Sequence, residues 1–291
     1  SDGFHYLNPS LSPDGSRIMF TADWWALPSD PRFSGDADFV NNRQIVLVPN
    51  RDGEEPTLDL ASQFAELVVL RERSVRFGEN SPQVIMLDDD KTTPIWQDDS
   101  HLIFSLRNNE LNNQYRLCRA DISNPSLASV EFLYMEPADA TPQPRLTQHM
   151  EGTLSPGGDW LAFTRSSCVI PDSFETCTGT SLWVLKMDTA GNDDGYEAVA
   201  FPIMGEYSRI ETPSWSPDGT KIVFSGGMDV AGAGTGAGTE IFTVDFDSTG
   251  VTAATPPALD QNLTRLTFTS RSAGDPISGI LNRSPVYSNS G

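Results

Sequence analysis

Basic residues are scarce in this chain. Its 291 residues hold 19 lysines and arginines against 40 aspartates and glutamates, a net charge of −21. A surface that negative repels phosphate backbones, so no nucleic-acid partner is expected, and it repels anionic bilayers as well. No apolar run approaches the ~20 residues of a membrane-spanning helix, so no membrane insertion is expected. Cysteine occurs three times and never as C-x-x-C, which leaves zinc ribbons and covalent haem without support. Neither G-x-S-x-G nor H-E-x-x-H is present, so the nucleophile elbow and the zincin helix have no basis here. The Gly-rich stretch Gly226–Glu240 has no G-x-G-x-x-G and no following Lys-Ser/Thr, and it reads as a flexible loop between strands. The chain begins at Ser1 rather than Met, as expected of a processed or partial chain.

Turn chemistry is abundant, and it repeats. Five segments align: Asn8–Gly15 (NPSLSPDG), Thr93–Ser100 (TPIWQDDS), Glu151–Gly158 (EGTLSPGG), Thr212–Gly219 (TPSWSPDG) and Ser284–Gly291 (SPVYSNSG). Each opens on a small polar residue or Glu followed by Pro or Gly. An apolar residue comes two places later, and then the turn. Pro presets φ, Asp folds onto nearby amides, and Gly takes the positive φ that closes the turn. After the turn comes a second shared pattern, aliphatic–apolar–Phe–hydroxyl, at Ile18–Thr21, Leu102–Ser105, Leu161–Thr164 and Ile222–Ser225. Four such residues read as a buried strand.

A third strand follows at Gln44–Val48, Tyr115–Asp121, Leu182–Asp188 and Ile241–Asp247. A fainter fourth follows at Val130–Met135, Glu197–Ile203 and Leu263–Phe268. In the first unit Phe64–Leu70 and Val84–Leu87 compete for the fourth place. A small four-stranded sheet cannot cover both its faces alone, and repeated stacking solves this as a β-propeller.

With Ser12-Pro13-Asp14-Gly15 before Ile18-Met19-Phe20, and Ser216-Pro217-Asp218-Gly219 before Ile222-Val223-Phe224, the chain resembles the PD40, or WD40-like, propeller repeat of the TolB-like family. Arg145-Leu146-Thr147 and Arg265-Leu266-Thr267 are similar to the Leu-Thr often found ahead of the first strand in such repeats. The resemblance implies an all-β fold, a β-propeller of four-stranded antiparallel blades. Four full blades are expected near 4–88, 89–147, 148–207 and 208–280, with the first strand of a fifth at 281–291. The turns begin at Ser12, Gln97, Ser155, Ser216 and Ser288, wider than the roughly 40–45 residues of compact propeller repeats. The surplus is expected in loops. The unfinished fifth blade suggests a single domain, 1–291, that is part of a larger ring of roughly six to eight blades.

Candidate sites follow from the register. Asn8, Thr93, Glu151, Thr212 and Ser284 hold equivalent places, and by symmetry they would form a polar ring at a channel mouth, able to meet a small ligand, peptide or cation. The alternative is a water-filled channel with polar walls. Trp24 and Trp25 would anchor an interaction loop or pack over a neighbouring blade. Cys118 falls at an apolar register position and is expected to be a core thiol. Cys168 and Cys177 flank one loop between two strands and are expected to form a disulfide, which points to a periplasmic or extracellular location. His5 and His149 precede the first strands at similar offsets, and with Glu151 they are the one conceivable metal set; hydrogen-bonded histidines are the plainer reading. Calcium would use the acidic runs at Asp88–Asp90, Asp98-Asp99 and Asp193-Asp194, but none has EF-hand spacing, and no cofactor is expected. Asn262 and Asn282 open glycosylation sequons of a kind that arises often by chance.

The expected function is non-catalytic: a protein-binding or scaffold propeller in a cell-envelope or extracellular assembly, with a protein partner or neighbouring subunit. Two alternatives remain open. One is the substrate-gating propeller of a prolyl-oligopeptidase-type enzyme whose catalytic part lies elsewhere, and the other is a glycan-binding module.

Overall fold

The computed structural model describes residues 6–23, 43–50, 68–69, 75–77, 81–83, 91–108, 114–123, 129–135, 146–168, 177–195, 197–227, 230, 239–267 and 285. The fold class is all-β, of the propeller type: four antiparallel strands run up and down in chain order within each of four successive sheets, and the second sheet carries two more. The first sheet is β1 (Tyr6–Leu11), β2 (Arg17–Asp23), β3 (Arg43–Pro49) and the two-residue β4 (Val68–Val69), in that order. The second sheet holds six strands: the short β5 (Val75–Phe77) and β6 (Ser81–Gln83), then β7 (Lys91–Trp96), β8 (His101–Asn108), β9 (Gln114–Asp121) and β10 (Ser129–Phe132). The third sheet is β11 (Leu146–Leu154), β12 (Trp160–Cys168), β13 (Cys177–Lys186) and β14 (Ala200–Pro202). The fourth is β15 (Ile210–Trp215), β16 (Lys221–Gly227), β17 (Thr239–Asp245) and β18 (Thr264–Arg265).

The second sheet differs from expectation. Its four antiparallel strands β7–β10 are extended by the β5–β6 hairpin, with β5 parallel to β10. Sequence reading placed residues 75–83 in the first unit. An outer strand presents a row of unpaired N–H and C=O groups, and here β5 joins that edge at the register pair Val75 and Val130. In the first sheet the fourth place goes to Val68–Val69, inside one of the two competing segments. Residues 84–87 and the expected fifth strand at 281–291, save Pro285, lie outside the described residues.

The Ser-Pro-Asp-Gly turns form as their chemistry dictates. Gly15 N–H donates to Ser12 O at 2.8 Å, and Gly219 N–H to Ser216 O at 2.9 Å. Gly15, Gly158 and Gly219 sit at φ 72°, 76° and 71°, which L side chains rarely adopt. Each turn serine then accepts from the backbone beyond the turn: Arg17 N–H on Ser12 Oγ (2.9 Å), Trp160 N–H on Ser155 Oγ (3.1 Å), Lys221 N–H on Ser216 Oγ (2.9 Å). Ser12 and Ser216 in turn donate to Asp14 and Asp218, both at 2.6 Å.

The chain divides into two compact units, Ser1–Phe132 and Leu133–Gly291. In the first, Leu102, Ile103, Leu106, Leu117, Cys118 and Phe132 have no exposed surface, so Cys118 is the buried core thiol its register predicts. In the second, one apolar cluster fills the space between the third and fourth sheets, built from Ala162, Leu182, Val184, Trp215, Phe224, Phe242 and Val244 among others. All four residues of the second-strand motif are buried in β8, β12 and β16. In β2 Ile18 and Phe20 are only half-buried.

Candidate functional site

The equivalent polar positions on the first strands turn out to be β-bulges. Register slips between Leu7 and Ser10 in β1, Thr92 and Ile95 in β7, Met150 and Thr153 in β11, and Glu211 and Ser214 in β15. At each slip two residues stand opposite one residue of the second strand, and that one is the motif phenylalanine: Phe20, Phe104, Phe163 or Phe224. In β7, β11 and β15 the first bulge residue has positive φ: Thr93 at 49°, Glu151 at 55° and Thr212 at 50°. Non-glycine residues enter this region at a cost of about 1–3 kcal/mol, and they persist there only where the surroundings over-determine them. A bulge also re-aims side chains and tightens strand twist.

The motif hydroxyl helps to hold the bulge. Ser105 is the register partner of Thr92, Thr164 of Met150 and Ser225 of Glu211, just ahead of each slip. Thr164 Oγ1 donates to Met150 O at 3.1 Å, and Ser105 Oγ lies 3.5 Å from Thr93 Oγ1. In these two sheets the hydroxyl of the fourth motif residue thus meets the bulge inside an otherwise apolar run.

One of the predicted ring residues bridges to another. Thr212 N–H donates to Glu151 Oε2 at 2.6 Å, joining the bulges of β15 and β11. Burial pushes the Glu151 carboxyl up to about 7; the Thr212 N–H pulls it down, Glu211 pushes it up and Arg209 pulls it down. Arg209 Nε and Glu211 Oε1 pair at 2.7 Å. Thr93 holds the same bulge position in its own unit. Asn8 lies in the β1 bulge by its backbone, and Ser284 lies outside the described residues.

Other predicted residues take simpler places. His149 is buried in β11, with its ring 5.1 Å from Tyr134 and 5.5 Å from Phe163. Among the described residues no group of three or more His, Cys, Asp or Glu is placed to hold a metal. His5, Trp24, Trp25, Asp88–Asp90 and Asn282 lie outside the described residues. Cys168 and Cys177 are backbone register partners at the ends of β12 and β13. Asn262 sits at φ 50°, with its Nδ2 donating to Asp245 Oδ2 at 2.8 Å.

The tryptophans that close the first strands have a role beyond filling space. Trp96 Nε1–H donates to Ser10 O at 3.3 Å, and Trp215 Nε1–H donates to Thr153 O at 3.0 Å. Ser10 and Thr153 hold the same place on the first strand of the sheet before. Sequence reading placed both tryptophans at the apolar position but not their N–H bonds, since nothing local signals a partner in another sheet. Leu11 and Leu154 take this place in β1 and β11, and Leu11 is 56% exposed.

No protein-family model matches the chain, and no curated protein matches it in sequence. Solved structures similar to it include a puromycin-hydrolysing peptidase of Mycobacterium tuberculosis, with 12% identity and a TM-score of 0.49 over 91% of this chain and 31% of that one. Another is TolB from Acinetobacter baumannii, with 15% identity and a TM-score of 0.45 over 92% and 44%. A third is a polysaccharide lyase, an ulvan lyase, with 10% identity and a TM-score of 0.42 over 83% and 55%. The chain thus spans 31% of the length of the first of these structures and 55% of the third. No helix among the described residues is long and apolar enough to cross a membrane.

Proposed function

We propose that this chain is a binding propeller of the TolB-like, PD40 type. It recognises a protein partner through surfaces that its sheets hold in place, and contributes no bond-making chemistry of its own. The observation that carries this reading is the repeated strained bulge. Thr93, Glu151 and Thr212 are held at positive φ at one equivalent position, each backed by a buried phenylalanine and flanked by a motif hydroxyl. Backbone strain kept at a polar position fits a recognition site better than a filler position. The net charge of −21 favours a partner with a basic face.

The setting we propose is a cell-envelope or extracellular assembly. Direct partners in an antiparallel ladder lie about 4.5–5.5 Å apart at Cα, within the range a disulfide needs, and Cys168 and Cys177 are such partners. A disulfide there would persist in an oxidising compartment.

The test is a photo-crosslinking residue at Glu211, beside the bulge, with Thr249 on the exposed turn after β17 as control. In a cell-envelope fraction the Glu211 position should give one discrete protein adduct and the Thr249 position none. Equal labelling from both positions, or turnover of peptide or glycan substrates by the purified chain, would remove this reading.

A further inference from the structure

The bulges of β7, β11 and β15 share a backbone and differ in what their first side chain reaches. Thr93 faces Ser105 of its own sheet. Glu151 instead crosses to the next sheet and accepts from the Thr212 N–H at 2.6 Å. Both ends of that bond sit at positive φ, 55° and 50°. The strands β11 and β15 pack against each other here, and β12 and β13 also pack on β15.

The charged groups around the carboxyl are few among the described residues. From β15 and the residue before it come Glu211 and its ion-pair partner Arg209. On β11 itself stands His149, packed between Tyr134 and Phe163. On β12 the register partner of His149 is Arg165, whose guanidinium lies over the Trp183 ring of β13 at 5.1 Å. On β13 the one other charge is Lys186 at the strand's far end, 2.8 Å from Asp188.

We propose that Glu151 is a proton-operated clasp between the third and fourth sheets. Protonated, its carboxyl stays part-buried between β11 and β15 and accepts from the Thr212 N–H; that bond alone favours the ion, and burial outweighs it. Ionised, it is repelled by Glu211 and draws in water, and β15 loosens from β11. This inference goes beyond the binding reading and needs no ligand, so either can fail without the other.

The direction is fixed by linkage. Burial places the carboxyl near 7, above its ordinary value of 4.5. The folded state therefore keeps a proton that the open state releases. The stabilisation is complete below about 4.5 and is lost as pH rises through 7.

The experiment compares the full chain with Glu151→Gln, which keeps shape and acceptor but cannot ionise. Amide exchange at Thr212, corrected for intrinsic rates, should lose protection by about tenfold between pH 6 and pH 8 in the wild type, following the proton linkage. In Glu151→Gln it should stay level. Should that variant not fold, carboxyl NMR of the wild type reads the same event: one Glu resonance titrating near 7, moving down in Glu211→Gln. Parallel protection curves in wild type and Glu151→Gln overturn the proposal. So does a wild type in which every carboxyl titrates below 5.

Discussion

Trp96 and Trp215 hold one place in two sheets, and each gives its indole N–H to the carbonyl of Ser10 or Thr153 on the sheet before. Their surroundings differ. Trp215 is buried, with Phe246 at 5.4 Å and Trp160 beyond it at 5.1 Å from Phe246. Trp96 is half-buried, and its outer partner is the Arg17 guanidinium 5.3 Å from the ring. One hydrogen-bonded joint is thus carried inward by aromatic packing and the other outward by a cation. The joint is common to both; the packing decides how much it is worth.

Truncation should separate the two most strongly. Trp215→Ala is expected to cost about 3–5 kcal/mol, since it opens a cavity in a packed aromatic cluster. Trp96→Ala should cost roughly 1–2 kcal/mol, the sum of one hydrogen bond and one cation–π contact. Urea titration of each variant measures the gap. Equal losses would mean that the bond, not the burial, dominates. Trp215→Phe keeps most of the ring but orphans the Thr153 carbonyl, and it should cost about 1–2 kcal/mol.

Acid and alkali should act on different parts of each sheet. Hydrogen bonds from the Ser12 and Ser216 hydroxyls hold the Asp14 and Asp218 carboxyls at about 2, below the usual 3.8. Their folded forms favour the ion, so their contribution is full above about 3.8 and disappears as pH falls through 2. Glu151 has the opposite sign, which makes the turns the acid-sensitive part and the β11–β15 joint the alkali-sensitive one. Thermal melts should show a shallower acid limb for Asp218→Asn and an unchanged alkaline one.

Backbone geometry gives smaller effects. Gly219→Ala should cost roughly 1 kcal/mol through left-handed strain alone, because an added Cβ would meet nothing closer than Pro156 Cδ at 3.7 Å. Thr164→Val should cost about 1 kcal/mol by leaving Met150 O without its hydroxyl. Lys186→Ala, at an exposed pair with Asp188, should stay within roughly 0.5 kcal/mol of wild type in the same denaturation assay.

The turns and second strands were legible because their chemistry is local. Ser-Pro-Asp-Gly determines its own geometry, and Ile-Val-Phe-Ser reads as a strand, covered in β16 and partly covered at its counterpart in β2. The fourth strands were legible only as rough zones, since β4 and β18 are two residues long and no periodicity survives in so short a run. The bulges were hidden for a different reason. Thr93 and Thr212 are β-branched residues before proline, a sequence that signals extended backbone, and tertiary context overrides it. The equivalence of these positions is therefore legible by alignment, while their strained backbone is not. The β5–β6 hairpin was assigned to the unit before, because sequence order says nothing about which open edge a strand will join.

Tryptophan closes the first strand in the second and fourth sheets, leucine in the first and third. Leucine has no proton to offer a neighbour, so the keyed joints come every other sheet. Each joint falls within one of the two compact units. A gene that duplicates, trims or exchanges this architecture would do so most cheaply in doublets, since a cut through the middle of a doublet strands an indole while a cut between doublets severs none of these bonds.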